Sequence, residues 1–520
     1  MISMSKKGLR LLCLLTGTLL LAPGTQAQGK NQKHAGAKRA GKVETVSETP
    51  ETQKVQAEEL NAGPIHLKFC DGEIRYLYVG EREIARRIYF AVRDNNWKTA
   101  MPKFSKMTVH KQANAFTIDL QADCVTDTAD YHWKGQMKGT ADGVIKFTAA
   151  GEAGKDFGSN RIGICLLYGT PALLKQNFQT VDAAGAAAKG TFPEEVSPKL
   201  VAAKFQTLRY TADGMTVAAS MTGATFDMED QRNYGDSSYK AYAPLPYAYP
   251  QILKGDPKTQ TLTLRVEHAP AAKTASKTTR LTLGALLPNV KIPLLLTAAP
   301  DAPDSIFGDI NFNRDNFRDK KMLTWGLNPS VHLPDNDNFM DNATTIAEQA
   351  RTTDVFATES AHHVTPIRLD SASGQRAGRD PRSASVFGSA WAARVVKYLS
   401  YAGVEDAGFD FGPGNATDAL AELQPFAGHA LYDVKIHAAG YASLDALAFV
   451  GNSGLQFWII NKTNQPQSVT VDNLPKTRCQ LCRRDGSVPF GNPLTTDPVS
   501  GMTGSITTDL GPYEICEIQF

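Results

Sequence analysis

From about residue 60 to residue 290 the chain reads as strand after strand. Strand-like runs lie at 65–70, 74–79, 116–120, 144–149, 162–167 and 261–266, several of them, as at 116–120 and 261–266, with the two-residue apolar–polar period of a half-buried strand. Gly, Asp and Pro punctuate these runs at short intervals, and the pattern predicts an antiparallel β-sandwich. From about 291 to 427 the pattern changes. Strand-like runs at 292–296, 306–312, 322–327, 364–369 and 406–411 alternate with helical periodicity at 339–351, 383–402 and 416–426. That βα alternation implies parallel strands, with Asp380-Pro381 as cap and first turn of the central helix. The last part returns to strands at 446–450, 455–461, 468–471 and 514–520, a small β-sandwich. The predicted architecture is multidomain, α/β plus all-β, with segments 59–290, 291–430 and 431–520.

Ahead of these elements, Lys6, Lys7 and Arg10 precede an apolar run at 11–21 and a small-residue Thr25-Gln-Ala27. Residues 1–27 therefore read as a secretory signal, and the mature chain as periplasmic or secreted. The apolar run is too short to span a bilayer. Residues 28–58 are polar and aperiodic, a disordered tether. Cleavage takes the formal net charge from +2 to −1, a balance that argues against nucleic acid or an anionic membrane surface as partner. Beyond Cys13 six cysteines remain. Cys479-Gln-Leu-Cys482 has redox or metal-ligand spacing but no second Cys/His pair beside it, and it fits two positions of one strand with no bond. His362 and His363 would point to opposite faces of a strand, a poor metal pair. No Gly-x-Ser-x-Gly elbow, P-loop or dinucleotide fingerprint is present, and no cofactor is expected.

The densest chemistry lies in Phe226-Asp-Met-Glu-Asp-Gln-Arg-Asn-Tyr-Gly-Asp-Ser-Ser-Tyr-Lys-Ala-Tyr242. Phe226 and Met228 alternate with Asp227 and Glu229, as on a strand with one apolar face. Carboxylates, amides and aromatic rings then crowd together. Such groups suit a polyol, whose hydroxyls pair with Asp230, Arg232 and Asn233 and whose C–H face stacks on Tyr239. The same residues also fit a charge-rich hairpin turning near Gly235-Asp236. Farther on, the strand at 322–327 runs into Asn328 and His332, and the strand at 406–411 carries Asp410. In barrels, reactive groups project from the carboxyl ends of strands.

The 226–242 segment resembles the D-apionate lactonase family. So do Arg87-Ile-Tyr-Phe-Ala-Val-Arg-Asp-Asn-Asn-Trp97, Asn160-Arg161-x-Gly163, Leu327-Asn-Pro-Ser-Val-His332 and Asp380-Pro-Arg-x-Ala-Ser-Val-Phe-Gly-x-Ala-Trp391. All five occur in the family's order over roughly 59–520. The resemblance implies a β-sandwich, a TIM-type barrel and a carboxy-terminal β-domain, acting on a small sugar lactone. Here the middle section is short, since eight βα units need ~200 residues or more. The early barrel strands are missing between Thr297 and Ser305, so a partial barrel is expected, closed by the flanking domains or by a partner chain in a homo-oligomer. The family pattern Tyr-Tyr-Glu-Thr is Phe409-Asp-Phe-Gly412 here, which places Phe411 at the Glu position and Asp410 one residue earlier, and His becomes Tyr168. On this reading His332 or Glu229 is the general base, Asp410 a further catalytic carboxylate, and Asn328, Asp230, Arg232, Asn233 and Tyr239 bind substrate, with reduced turnover. Two other readings stay open: a non-catalytic carbohydrate-binding or scaffold protein, and a glycosidase-like hydrolase using Glu229 and Asp410.

Overall fold

The computed structural model describes residues 57–245, 250–268, 279–299, 302, 305–329, 333–369, 380–438, 440–485, 497–499 and 504–520. The signal and most of the tether expected from the sequence lie outside them, as does His332.

Strict alternation builds the first two sheets. In Asp130–Thr140 buried and exposed residues alternate without a break, and its partners Phe116–Val125 and Val144–Ala153 follow the same rhythm. Each sheet has nine strands, and their neighbours pair antiparallel. The first runs from Glu58–Ala62 through the long strands Arg82–Asp94 and Phe157–Gly169 to Ser238–Tyr242 and Phe226–Asp230. Ile88, Phe90, Leu166 and Met228 from this sheet and Trp133, Phe147 and Leu264 from the other share one apolar core. That is the sandwich the alternation predicts.

A third nine-stranded sheet gathers the carboxy-terminal strands, among them Leu444–Val450, Leu455–Asn461 and Ile515–Gln519. It also takes in Thr279–Lys291, which pairs with Ala430–His437 and lies parallel to Gln467–Asp472. The strand enters this sheet because Leu281 and Leu283 bury in its core, apart from the amino-terminal sandwich.

The βα section forms a four-stranded sheet in the order Leu294–Thr297, Asp406–Phe409, Ala361–Ile367, Met322–Leu327, every pair parallel. A closed barrel needs eight such strands, so among the described residues the sheet is open. Two expected elements change. The run at 306–312 is a helix, Phe307–Asn311, because Phe307 and Ile310 bury at helical spacing and the Asp309 carboxylate accepts from the Ile306 N–H at 3.1 Å. The helix expected at 339–351 is two, Asn336–Asn342 and Thr345–Phe356, the first capped by Asp335. The long helix Val386–Tyr401 starts after a 3₁₀ turn that Asp380 caps through the Arg382 N–H. No described helix is long and apolar enough to cross a membrane.

Helix Asn415–Leu423 docks on the third sheet through Glu422, which accepts from Arg484 Nη2 at 2.7 Å, while Glu517 accepts from Arg484 Nε at 2.8 Å. Burial and the neighbouring Glu517 push the Glu422 carboxyl up to about 7. The folded chain thus keeps a proton that the unfolded chain loses above 4.5, and stability should fall as pH rises from 4.5 through 7. Glu422→Gln should flatten that fall and melt above the wild type at pH 8 by a few degrees, read by calorimetry at pH 5 and 8. Identical pH dependence of the two proteins would refute the assignment.

Candidate functional site

The 226–242 segment folds as its alternation dictates. Phe226 and Met228 enter the sandwich core, and Glu229 lies on the other face, partly exposed. The Asp230 carboxylate caps the 3₁₀ turn Gln231–Tyr234, and Gly235, at φ +90°, closes it in the left-handed region that glycine favours. Strand Ser238–Tyr242 then returns beside Phe226–Asp230.

Four of the expected polyol ligands have their hydrogen bonds taken up inside the protein. Arg232 is fully buried. It donates to Asp230 at 2.7 and 2.9 Å, to Glu348 Oε2 at 3.1 Å, and to the carbonyls of Pro193, Glu194 and Glu195 at 2.8, 2.9 and 3.1 Å. The Tyr239 hydroxyl donates to the Pro193 carbonyl at 2.6 Å. Asn233 donates to the Ser197 carbonyl and accepts from Asn311 at 2.8 Å. Asp236 and Ser237 meet Asn342, and the Arg232 carbonyl accepts from Gln349. Asp230, Arg232, Asn233 and Tyr239 are therefore joinery. Arg232 and Asn233, with Asp236 and Ser237, fasten the sandwich to the helices of the βα section, and Asp230 and Tyr239 brace Arg232, so the segment faces that section.

A second set of groups lies on the outer face of the first sheet, all but Glu229 buried. Register puts Glu229 beside Lys240 and Lys240 beside Leu167, then Tyr242 beside Cys165 and Cys165 beside Tyr89. Tyr89, Ala91, Cys165, Leu167 and Tyr242 form a small apolar cluster separate from the sandwich core. Arg93 pairs with Arg161 farther along the same two strands. Glu229 accepts from the Tyr242 hydroxyl and, at 3.0 Å, from Gln231, whose own carbonyl accepts from Lys240 Nζ at 2.7 Å. Burial opposes the charge on Glu229, but Lys240, Arg161 and these hydrogen bonds outweigh it and hold the carboxyl below its usual range. The Arg161 guanidinium lies over the Tyr242 ring at 3.4 Å from its centre.

Burial, then Arg161 and Arg93, push the Lys240 ammonium down to about 7, against the pull of Glu229. The unfolded chain holds a proton on this lysine up to 10.5, so between pH 7 and 10.5 it binds more protons than the folded chain. Stability should rise across that window. Lys240→Met should abolish the rise, measured by urea unfolding at pH 6.5 and 9.5. A wild-type stability that falls between those two values would overturn the assignment.

At the strand ends of the βα section, the Asn328 carbonyl lies 3.6 Å from where a Cβ on Gly235 would sit, so this end of the sheet abuts the 226–242 segment. Arg368 donates to Asp410 at 2.9 Å. Phe411 turns away from the carboxylate and packs on Trp391 and Phe409. Tyr168 points into the sandwich, against Phe192 and Tyr210. His362 bonds Thr353 and His363 meets Asp406, with no shared ligand position. The described residues hold no His/Cys/Asp/Glu group suited to a metal, and Cys479 and Cys482 are free thiols on one strand. Reading the sequence missed Arg93 and Arg161 as site residues. The signal was there: Arg87, Tyr89, Ala91 and Arg93 occupy alternate positions of one strand.

The model of the D-apionate lactonase amino-terminal domain matches residues 45–269, and that of its TIM barrel domain matches residues 302–415. A D-apionate lactonase of Brucella anthropi is 28% identical over 218 residues, 40% of this chain and 35% of the relative. The match thus spans about a third of that relative's length. Among solved structures, a family 44 xyloglucanase of Paenibacillus polymyxa aligns at 12% identity and TM-score 0.30, over 40% of this chain and 48% of its own. A 4-O-α-L-rhamnosyl-β-D-glucuronidase of Fusarium oxysporum aligns at 16% and 0.31, over 44% and 58%. At such scores neither bears on the fold. On its two domain matches and its curated relative, the chain belongs to the D-apionate lactonase family.

Proposed function

We propose that this chain hydrolyses a small sugar lactone at the outer face of its first sheet, with Glu229 as the proton-accepting carboxylate. The observation that carries the reading is the setting of Glu229. It is part-exposed, held ionised by Lys240 and Arg161, and fixed in direction by the Tyr242 hydroxyl and Gln231. A water oxygen attacks the lactone carbonyl carbon and gives its proton to Glu229. The negative charge that develops on the carbonyl oxygen lies in the field of Arg161. The ring C–O bond then breaks, and the departing alkoxide takes the proton back from Glu229. The product is an open-chain hydroxy acid, which loses its acid proton to solvent.

Asn328 and Asp410, at the strand ends of the βα section, are the further groups proposed for the sugar's hydroxyls, with His332 four residues after Asn328 in the sequence. Because Asp410 is bonded to Arg368, it is a weaker candidate for a second proton carrier than Glu229. The open four-stranded sheet favours low turnover and keeps a binding-only protein as the second reading. The test is proton release in a pH-stat with D-apionolactone and related five-membered sugar lactones. Acceleration of at least ~100-fold over buffer is expected. Tight lactone binding with no acceleration would leave the binding-only reading standing in its place.

A further inference from the structure

Arg93 and Arg161 are 5% and 4% exposed, side by side on paired strands. Neither has a carboxylate within ion-pair distance among the described residues. Arg93 Nε and Arg161 Nη1 are buried with no hydrogen-bond partner. The carboxylates nearby are committed elsewhere. Glu229 takes its hydrogen bonds from Tyr242 and Gln231, Asp236 from Asn342, and Asp94 from the backbone of its own turn and Thr128. Arg87, on the same strand, shows the contrast, since it is paired with Glu73 and Asp335.

A buried guanidinium with no ion-paired anion is costly to keep, and two adjacent ones repel each other. The face around them is built to hold them in place. Tyr242 lies under the Arg161 plane, and Trp97 stands 6.0 Å from it. By register Ala91 and Gly163 lie between the arginine pair and the Tyr89–Cys165–Tyr242 row, and the Gln260 amide fills the place where a Cβ on Gly163 would sit.

We infer that Arg93 and Arg161 form a seat for the carboxylate of a small sugar acid. Two guanidinium forks match the paired oxygens of a carboxylate, and the apolar–aromatic row beside them suits a sugar's C–H face. The inference rests on the hydrolytic reading, which generates a carboxylate on this face. That carboxylate is either the ring-opened product's own or a second acid group carried by the substrate.

The test is thermal unfolding and titration calorimetry of the mature protein with gluconate, glucuronate, glucose and inorganic phosphate. Gluconate or glucuronate should raise the melting temperature by several degrees at saturating concentration, and glucose should not. A larger effect of gluconate assigns the seat to the product. A larger effect of glucuronate assigns it to an acid group of the substrate. Arg93→Met and Arg161→Met should each lose at least ~30-fold in affinity for the sugar acid. Without ligand they should melt no lower than the wild type. If neither variant folds, competition on the wild type decides: phosphate displacing gluconate with higher affinity overturns the carboxylate seat. So does an equal shift with glucose, or no shift at all. Sugar-acid binding without lactone hydrolysis would remove the hydrolytic reading and keep the seat, whereas hydrolysis without sugar-acid binding would remove only the seat.

Discussion

Arg232→Met should destabilise the fold by ~3–5 kcal/mol, the largest single-residue loss expected in this chain. The side chain is fully buried and answers two carboxylates, Asp230 and Glu348, together with three backbone carbonyls. Met fills much of the volume but returns none of those bonds. Asp230 and Glu348 would then sit side by side in the interior with no cation between them. Burial already raises the Glu348 carboxyl although Arg232 pulls it down. Without Arg232 it should rise further and hold a proton more readily. The deficit should therefore shrink as pH falls from 8 to 5, and Glu348→Gln added to Arg232→Met should recover part of it. Urea unfolding at pH 5 and 8 reads both effects. A loss below ~1 kcal/mol at pH 8 would mean that Arg232 is not the fastening that its bonds suggest.

How much of this was legible in the sequence follows from how local each feature is. The strands of the sandwich were, because alternation records which face a residue shows to the core, and Phe226 and Met228 sit where it puts them. The helix Phe307–Asn311 was not. In a run as short as 306–312, periods of 2 and 3.6 are hard to separate, and the Asp309 cap decides. The sheet to which Thr279–Lys291 belongs is a long-range choice, made by Val469 and Val434 on strands far along the chain. The candidate site divides in the same way. The 226–242 segment announced polar chemistry correctly, but its composition could not separate side chains whose bonds are taken up inside the fold from those left facing outward. Arg232 and Glu229 are three residues apart and go to opposite uses, because one belongs to the turn and the other to the outer face of the strand. Arg93 and Arg161 are 68 positions apart in sequence, and only the strand register shows that they share a row.

Glu229→Gln should lower lactone turnover by ~100-fold or more, with KM changed little. The substitution keeps the shape of the side chain and an acceptor oxygen for Tyr242 and removes only the charge and the basic site. The fold should tolerate it, since Glu229 is partly exposed and the fastening bonds of Arg232 are untouched. Any residual rate would come from the field of Arg161 and from binding, which the substitution leaves in place. The pH profile gives an independent check. Because its carboxyl is held below the ordinary value of 4.5, the wild-type rate should stay level down through that pH and decline only below it. Tyr242→Phe removes one hydrogen bond to the ionised form, so it should raise that carboxyl and bring the acid limb to higher pH, with a smaller loss of rate than Glu229→Gln. If Glu229→Gln turns over as fast as the wild type while His332→Ala is dead, proton transfer belongs to His332. The outer face of the sheet would then serve binding alone.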